Sequence, residues 1–254
     1  MMFIDMDGTF VFDSSEVTKE DLHAFKEAEK ICSMGIATGR SIREIEYIEE
    51  HYNIKVDYKI AFNGALVMNE KNETIVDEPI DSVSFKALMN YLKKNQLVFD
   101  ALDGKKRIGN FAHEAEGTLM GLTFVQVDDP YPLIKDQKIY KLNIRPKSIE
   151  DAEKITVELK MLFTNLSIFQ VGSRRIEVTG TDTSKGNALM KIRKPQTTII
   201  AIGDSENDIS MFEISNKSYC MDHAPENVRK SAEYSVPRFN DAINHFLNHT
   251  DLEG

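Results

Sequence analysis

The run Met1-Met2-Phe3-Ile4 is continuously apolar and ends at Asp5-Met6-Asp7-Gly8-Thr9. A short apolar run closed by a breaker reads as a buried strand, which puts Asp5 and Asp7 at its carboxyl end. Open α/β sheets take their ligands there. Two carboxylates one residue apart repel, so leaving both ionised is costly unless a cation bridges them or one holds a proton. The pair has the chemistry of a nucleophile, an acid/base and half of a magnesium site. Asp-x-Asp-Gly also makes an ordinary acidic turn, so the reading depends on later segments.

The 254 residues suffice for one large domain or two smaller ones. With 41 acidic against 31 basic residues the net charge is −10, which argues against an electrostatic grip on nucleic acid or an anionic membrane. A small anionic substrate needs only a local positive site. Cys32 and Cys220 lack metal-ligand spacing and read as small buried hydrophobes in a reduced compartment. No apolar stretch approaches bilayer-spanning length and the amino terminus lacks a signal-peptide pattern, so the expected location is the cytoplasm.

Leu22, Phe25, Ala28, Ile31 and Cys32 predict a helix over 19–34, N-capped by Thr18 and ended by Gly35. Ile36-Ala37 then leads into Thr38-Gly39-Arg40-Ser41 ahead of a helix with Ile42, Ile45, Ile48 and Tyr52 on one face. A hydroxyl and amides at a helix start make a phosphate seat, or simply a capped helix. Glu44, Glu46, Glu49 and Glu50 read as its solvated face. Strands follow at 58–62 and 65–68, with Asn63-Gly64 as a hairpin turn, and again at 74–76.

After Pro79 paired strands alternate with helices, which predicts an inserted α+β domain over about residues 80–183, helices on one face of an antiparallel sheet. Tyr140 to Arg145 alternates cleanly, so Lys141, Asn143 and Arg145 share the face opposite the core, with Arg175, Glu177 and Thr179 beside them. That face could cover Asp5 or simply meet water. The stretch 112–138 has no clear pattern. From Thr181 the α/β pattern returns. Ser184-Lys185-Gly186 opens a helix, where a lysine beside free amides favours an anionic partner. The apolar strand Thr197 to Ile202 runs into Gly203-Asp204-Ser205-Glu206-Asn207-Asp208, whose Asp204 and Asp208 can face one way at a helix start. An oxygen-only set of repelling acids suits magnesium better than zinc.

Five segments, Asp5-Met6-Asp7-Gly8-Thr9, Ala37-Thr38-Gly39-Arg40, Phe62-Asn63-Gly64-Ala65, Ser184-Lys185-Gly186 and Gly203 to Asp208, together resemble the haloacid dehalogenase superfamily and its Cof-type phosphatases. The resemblance covers nearly the whole chain. It implies a Rossmann-like, doubly wound parallel-sheet core (1–79 and 184–254) with a subclass IIB α+β cap inserted at 80–183. It implies a Mg2+-dependent phosphatase acting on a small phosphorylated metabolite such as a sugar phosphate, a nucleotide or a cofactor phosphate. Asp5 is then the nucleophile that forms an aspartyl-phosphate, and Asp7 the acid and base. The metal falls to Asp5, the Asp7 carbonyl and Asp204, with Asp208 either a direct ligand or just outside the coordination sphere. Thr38, Gly39, Met6, Lys185 and Asn207 hold phosphate oxygens, and Lys141, Asn143, Arg145 and Arg175 are candidates for cap specificity. Alternatives are a phosphotransferase or mutase using the same intermediate, or a non-catalytic phosphometabolite-binding regulator. The chain departs from the family pattern in three places. Less chain precedes Asp5; Met221-Asp222-His223-Ala224 stands for the usual Gly-Asn-Ala turn; and the segment after Tyr234 lacks Asp-Gly. His223 reads as a substrate contact or an exposed loop residue.

Overall fold

The computed structural model describes residues 1–13, 15–111, 120–171 and 173–250. In chain order the first elements are β1 (Met2–Ile4), α1 (Lys19–Ala28), β2 (Met34–Ala37), α2 (Ile42–Tyr52), β3 (Tyr58–Ala61), β4 (Leu66–Met68) and β5 (Thr74–Asp77). Then come α3 (Ser82–Lys94), β6 (Val98–Leu102), β7 (Lys106–Gly109), β8 (Thr123–Gln126), α4 (Tyr131–Ile134), β9 (Lys141–Arg145), α5 (Ile149–Leu162), β10 (Leu166–Val171) and β11 (Arg175–Gly180). The last are α6 (Lys185–Ile192), β12 (Ile200–Gly203), α7 (Ile209–Phe212), β13 (Lys217–Met221), α8 (Glu226–Arg229), β14 (Tyr234–Val236) and α9 (Phe239–Thr250). The chain forms two compact units, one of Met1–Arg40, Ile45–Val76 and Ser184–Gly254, the other of Ser41–Glu44 and Asp77–Thr183.

The first unit is built on an eight-stranded sheet in the order β14-β13-β12-β1-β2-β3-β4-β5. From β14 to β3 every neighbouring pair is parallel, and β4 returns antiparallel to β3. β1 lies in the middle, Met2 in register with Ile200 on one side and Met34 on the other, and all three of its residues are buried. A strand covered on both faces has no use for polar alternation, which is why it reads as a continuous apolar run. Phe3, Ile60 and Ala201 pack with Leu189 of α6 and Met211 and Phe212 of α7. Phe10 joins α1 to α9, its ring 5.1 Å from those of Phe25 and Phe239. The strand order reverses at β1, which has β2 on one side and β12 on the other. The carboxyl ends of β1 and β12 therefore flank the point where α/β sheets bind ligands. This is the α/β, Rossmann-like class expected from the sequence.

Several local expectations shift. α1 stops at Ala28 instead of running to residue 34, although Thr18 caps it by accepting from the Asp21 N–H. Gly35 does not end a helix; it lies inside β2, where a Cβ would meet the Phe3 ring at 2.4 Å. Apolar Ile31 and Cys32 continue the helical pattern, but the turn into β2 is imposed by pairing with β1. Glu44 is buried, not solvated: its carboxylate accepts from the Ser41 N–H at 2.8 Å and hydroxyl at 2.7 Å, a reciprocal cap at the start of α2. Glu49 likewise pairs with Lys59 at 2.9 Å. The β3–β4 hairpin forms with four residues between Ala61 and Leu66, and Phe62 and Asn63 both take left-handed φ (52° and 55°). Asp208 ends a short 3-10 turn, Glu206–Asp208, and Asp204 precedes it in the loop after β12.

The second unit carries a six-stranded sheet, β10-β11-β9-β6-β7-β8, antiparallel except between β7 and β8. One face packs Phe99, Ala101, Leu142, Ile144, Ile176 and Val178 against Leu88, Met89 and Leu92 of α3 and Leu159 of α5. The alternation of β9 places Lys141, Asn143 and Arg145 on the other face. Part of the unpatterned stretch resolves into β8 and α4; its residues 112–119 lie outside the described residues. Among the described residues no helix is long and apolar enough to cross a membrane.

Candidate active site

Asp5 follows β1 directly, its N–H donating to the Ile202 carbonyl at 2.8 Å, and is 4% exposed. Lys185 opens α6 behind the Ser184 N-cap, and its ammonium is fully buried. It donates to Asp5 Oδ1 and, at 2.5 Å, to Asp208 Oδ1. Asp208 in turn accepts from the Asp204 and Ser205 backbone N–H groups through Oδ2, both at 2.9 Å, closing a capping box with Ser205. With both oxygens engaged, Asp208 is a fixed counter-charge for Lys185.

Asp204 stands at the carboxyl end of β12. Its Oδ1 accepts from the hydroxyls of Thr9 and Ser205, each at 3.3 Å, and its Oδ2 accepts from His223 Nε2 at 3.2 Å. Gly8 has φ +82°, and a Cβ there would sit 2.4 Å from Asp204 Oδ2, so only glycine lets the first acidic turn approach this carboxylate. Asp5, Asp204 and Asp208 each offer an oxygen within 4.8 Å of the others.

Burial, and after it the Asp208 charge, push the Asp5 carboxyl well above the usual carboxylate range against the pull of Lys185. Burial works against the Lys185 ammonium, yet Asp208 and Asp5 hold its pKa above the ordinary lysine value. One ammonium thus serves two carboxylates while a third stands close by, an excess of negative charge that a cation would relieve. Oxygen-only donors of this kind fit a hard divalent ion.

Asp7 is half-exposed and gripped by Arg40, whose Nε donates to Oδ2 at 2.8 Å and whose Nη2 donates to Oδ1. This is a bidentate fork, the geometry in which arginine holds carboxylates best. Thr38 is buried at the end of β2; its hydroxyl accepts from the Arg40 N–H at 3.1 Å and its carbonyl from the Asn63 N–H at 2.9 Å. Gly39 lies between Thr38 and Arg40. Asn207 reaches across to Asn63, Nδ2 to Oδ1 at 3.0 Å. The Met6 carbonyl accepts from Phe10 and Val11, which folds the chain back immediately after Asp5.

Asp5, Lys185, Asp204 and Asp208 are thus brought into one cluster, with Asp7, Thr38 and Asn207 on the loops that leave the same strand ends. Two residues of this site were not assigned from the sequence. Arg40 stood inside the Thr-Gly-Arg segment, where its type alone signalled a carboxylate or phosphate partner. His223 is a half-exposed loop residue, as one of its two readings had it, and its Nε2 lies 3.2 Å from Asp204 Oδ2. Asp222 has no left-handed φ, so the turn does without the glycine usual there.

In the second unit, Asp100 is fully buried and accepts from Asn143 Nδ2 at 2.7 Å and Arg145 Nε at 3.1 Å, and it forms an ion pair with Arg107, Nε to Oδ1 at 2.9 Å. Glu177 pairs with Lys141 at 3.0 Å and Arg175 at 3.3 Å. Burial opposes ionisation of Glu177, but the Lys141 and Arg175 charges bring its pKa below the usual value. Lys141, Asn143, Arg145 and Arg175 therefore belong to one ion-paired face. The Arg145 guanidinium also lies 3.9 Å from the centre of the Phe111 ring.

Residues 2–247 match the model of the haloacid dehalogenase-like hydrolase family. The chain is 30% identical over 254 residues to YxeH of Bacillus subtilis (strain 168), covering 93% of this chain and 92% of that protein. It is 26% identical over 269 residues to 5-amino-6-(5-phospho-D-ribitylamino)uracil phosphatase YwtE of the same organism, covering 94% and 92%. In fold it resembles the crystal structure of TM0651 from Thermotoga maritima, with a TM-score of 0.84, 22% identity and coverage of 97% and 95%. With a family model spanning almost the whole chain, and the three acids and lysine of the cluster at the strand ends that this fold uses for ligands, the chain belongs to the haloacid dehalogenase-like hydrolase family and stands among its phosphatases.

Proposed function

We propose that the protein hydrolyses a small phosphorylated metabolite in a Mg2+-dependent reaction that passes through an aspartyl-phosphate on Asp5. The observation that carries this reading is the buried Lys185 ammonium bridging Asp5 and Asp208, with Asp204 within reach of both. A magnesium ion, when bound, would neutralise charge on the transferring phosphoryl group. Asp5, Asp204 and the Asp7 carbonyl would hold it, while Asp208, with both oxygens already engaged, fits better as the residue that orients Lys185.

In the first step Asp5 Oδ bonds to phosphorus, the ester P–O bond breaks, and Asp7 gives its proton to the departing alkoxide. In the second, water attacks the same phosphorus, Asp7 takes the proton, and the bond to Asp5 breaks to restore the carboxylate. Thr38, the Gly39 and Met6 amides, Lys185 and Asn207 would hold the phosphoryl oxygens, the equatorial charge that phosphoryl transfer must stabilise.

The ion-paired face of the second unit, with Lys141, Asn143, Arg145 and Arg175, is the proposed source of specificity. Among the described residues Asn143 Oδ1 is buried there without a hydrogen-bond partner, an acceptor for which a hydroxyl or amine of a substrate is suitable. YwtE is named for a phosphorylated ribitylamino-uracil, which makes polyol phosphates a sensible first panel. The test is release of phosphate from a panel of phosphorylated metabolites with and without Mg2+, with the Asp5→Asn protein as blank. Mg2+-dependent release that vanishes in the blank is expected; equal release by Asp5→Asn would overturn the mechanism.

A further inference from the structure

We propose that His223 is a positioning residue for the divalent cation: it donates Nε2–H to Asp204 Oδ2 and so fixes the one carboxylate of the cluster that Lys185 does not hold. The inference rests on the divalent-cation part of the proposed function and concerns how this chain, with histidine at a turn where the family pattern carries Gly-Asn-Ala, keeps its metal ligand in place.

The three acids differ in how they are held. Asp5 is fixed by Lys185, and Asp208 by Lys185 and two backbone amides. Among the described residues the donors to the Asp204 carboxylate are side chains: hydroxyls of Thr9 and Ser205 at 3.3 Å on Oδ1, and His223 at 3.2 Å on Oδ2. None of these is short, so rotation of the carboxylate is opposed only by the three acting together. Gly8 also lies close on the Oδ2 side and has no side chain to offer. A carboxylate accepts and does not donate, so the imidazole nitrogen facing Oδ2 carries the proton. His223 itself is anchored by its turn, where the Asp222 N–H donates to the Val236 carbonyl and the Ala224 N–H to the Met221 carbonyl. The turn follows β13, next to β12 in the sheet, which brings a residue 19 positions downstream onto Asp204.

Partners that orient a metal ligand from outside the coordination sphere typically matter about 10- to 100-fold in metal affinity. The experiment is titration of the whole protein, without substrate, with Mn2+ followed by electron paramagnetic resonance and with Mg2+ followed by calorimetry. His223→Ala is expected to weaken both ions by about 10- to 100-fold, and His223→Asn, which keeps an N–H donor, to recover part of the loss. Circular dichroism and melting in EDTA serve as the folding control, and the half-exposed position of His223 makes both variants compatible with the fold. Unchanged affinity in His223→Ala would overturn the proposal while leaving the phosphatase reading intact. Pulsed resonance provides a separate readout: a directly bonded histidine nitrogen on Mn2+ would overturn positioning in favour of ligation, and no metal binding by the unmodified protein would remove both the proposal and the cation from the mechanism.

Discussion

Replacing Lys185 with methionine isolates the charge that organises the site. Methionine is close to lysine in length and unbranched, so the substitution leaves little cavity, and the buried ammonium between Asp5 and Asp208 is what is lost. Hydrogen bonds to charged groups contribute about 1.5–3 kcal/mol each. Two of them, less the cost of burying the ammonium, agree with the roughly 3–5 kcal/mol expected when one partner of a buried ion pair is removed and the other left uncompensated. In a protein of this size that is a fall in melting temperature of roughly 6–20 °C. The assay is urea and thermal unfolding at pH 7 in EDTA, followed by circular dichroism. Lys185→Met combined with Asp208→Asn should be less destabilised than the sum of the two single variants, because the double change removes a charge together with its partner. Loss of under about 1 kcal/mol in Lys185→Met, the range of an exposed pair, would refute the view that the acids are held by this one cation. It would mean that Asp5 simply takes up a proton in its place.

Gly35→Ala should destabilise by about 1–3 kcal/mol, as overpacking does, since the added Cβ would stand 2.4 Å from the Phe3 ring between two parallel strands; urea midpoints at constant slope measure it. Glu177 contributes stability that is fully present above its ordinary pKa of 4.5 and is lost as pH falls through its lowered folded value, because the unfolded chain takes up the proton first. Melting temperature compared between pH 7 and pH 3.5 should therefore fall less in Glu177→Gln than in the unmodified protein. Cys220 is buried, and burial, followed by the Asp204 and Asp208 charges, pushes its thiol up to about 12; alkylation by iodoacetamide at pH 8 should leave it unmodified until the protein is denatured, as mass spectrometry of the digested protein would show. Ser41→Ala should cost about 0.5–2 kcal/mol through loss of the N-terminal cap shared with Glu44, read in the same urea titration.

The local elements were legible because short-range chemistry encodes them. The uninterrupted apolar runs of β1 and β12 marked strands buried on both faces, Thr18 and Ser184 marked helix starts, and the alternation from Tyr140 to Arg145 separated a core face from a polar one. These signals span a few residues, the range over which a helix turn, a cap or a pleat acts. The tertiary structure alone decided where those patterns are overruled and which charges meet. α1 ends early and Gly35 lies in a strand because β2 must lie against β1 and make room for Phe3. Glu44 is drawn inward by Ser41 although its spacing matched a solvated face. Lys185 finds Asp5 from 180 residues away, Arg40 finds Asp7 from 33, and His223 finds Asp204 from 19. A partner at such a distance is set by strand order and register, and no periodicity within either segment carries that information.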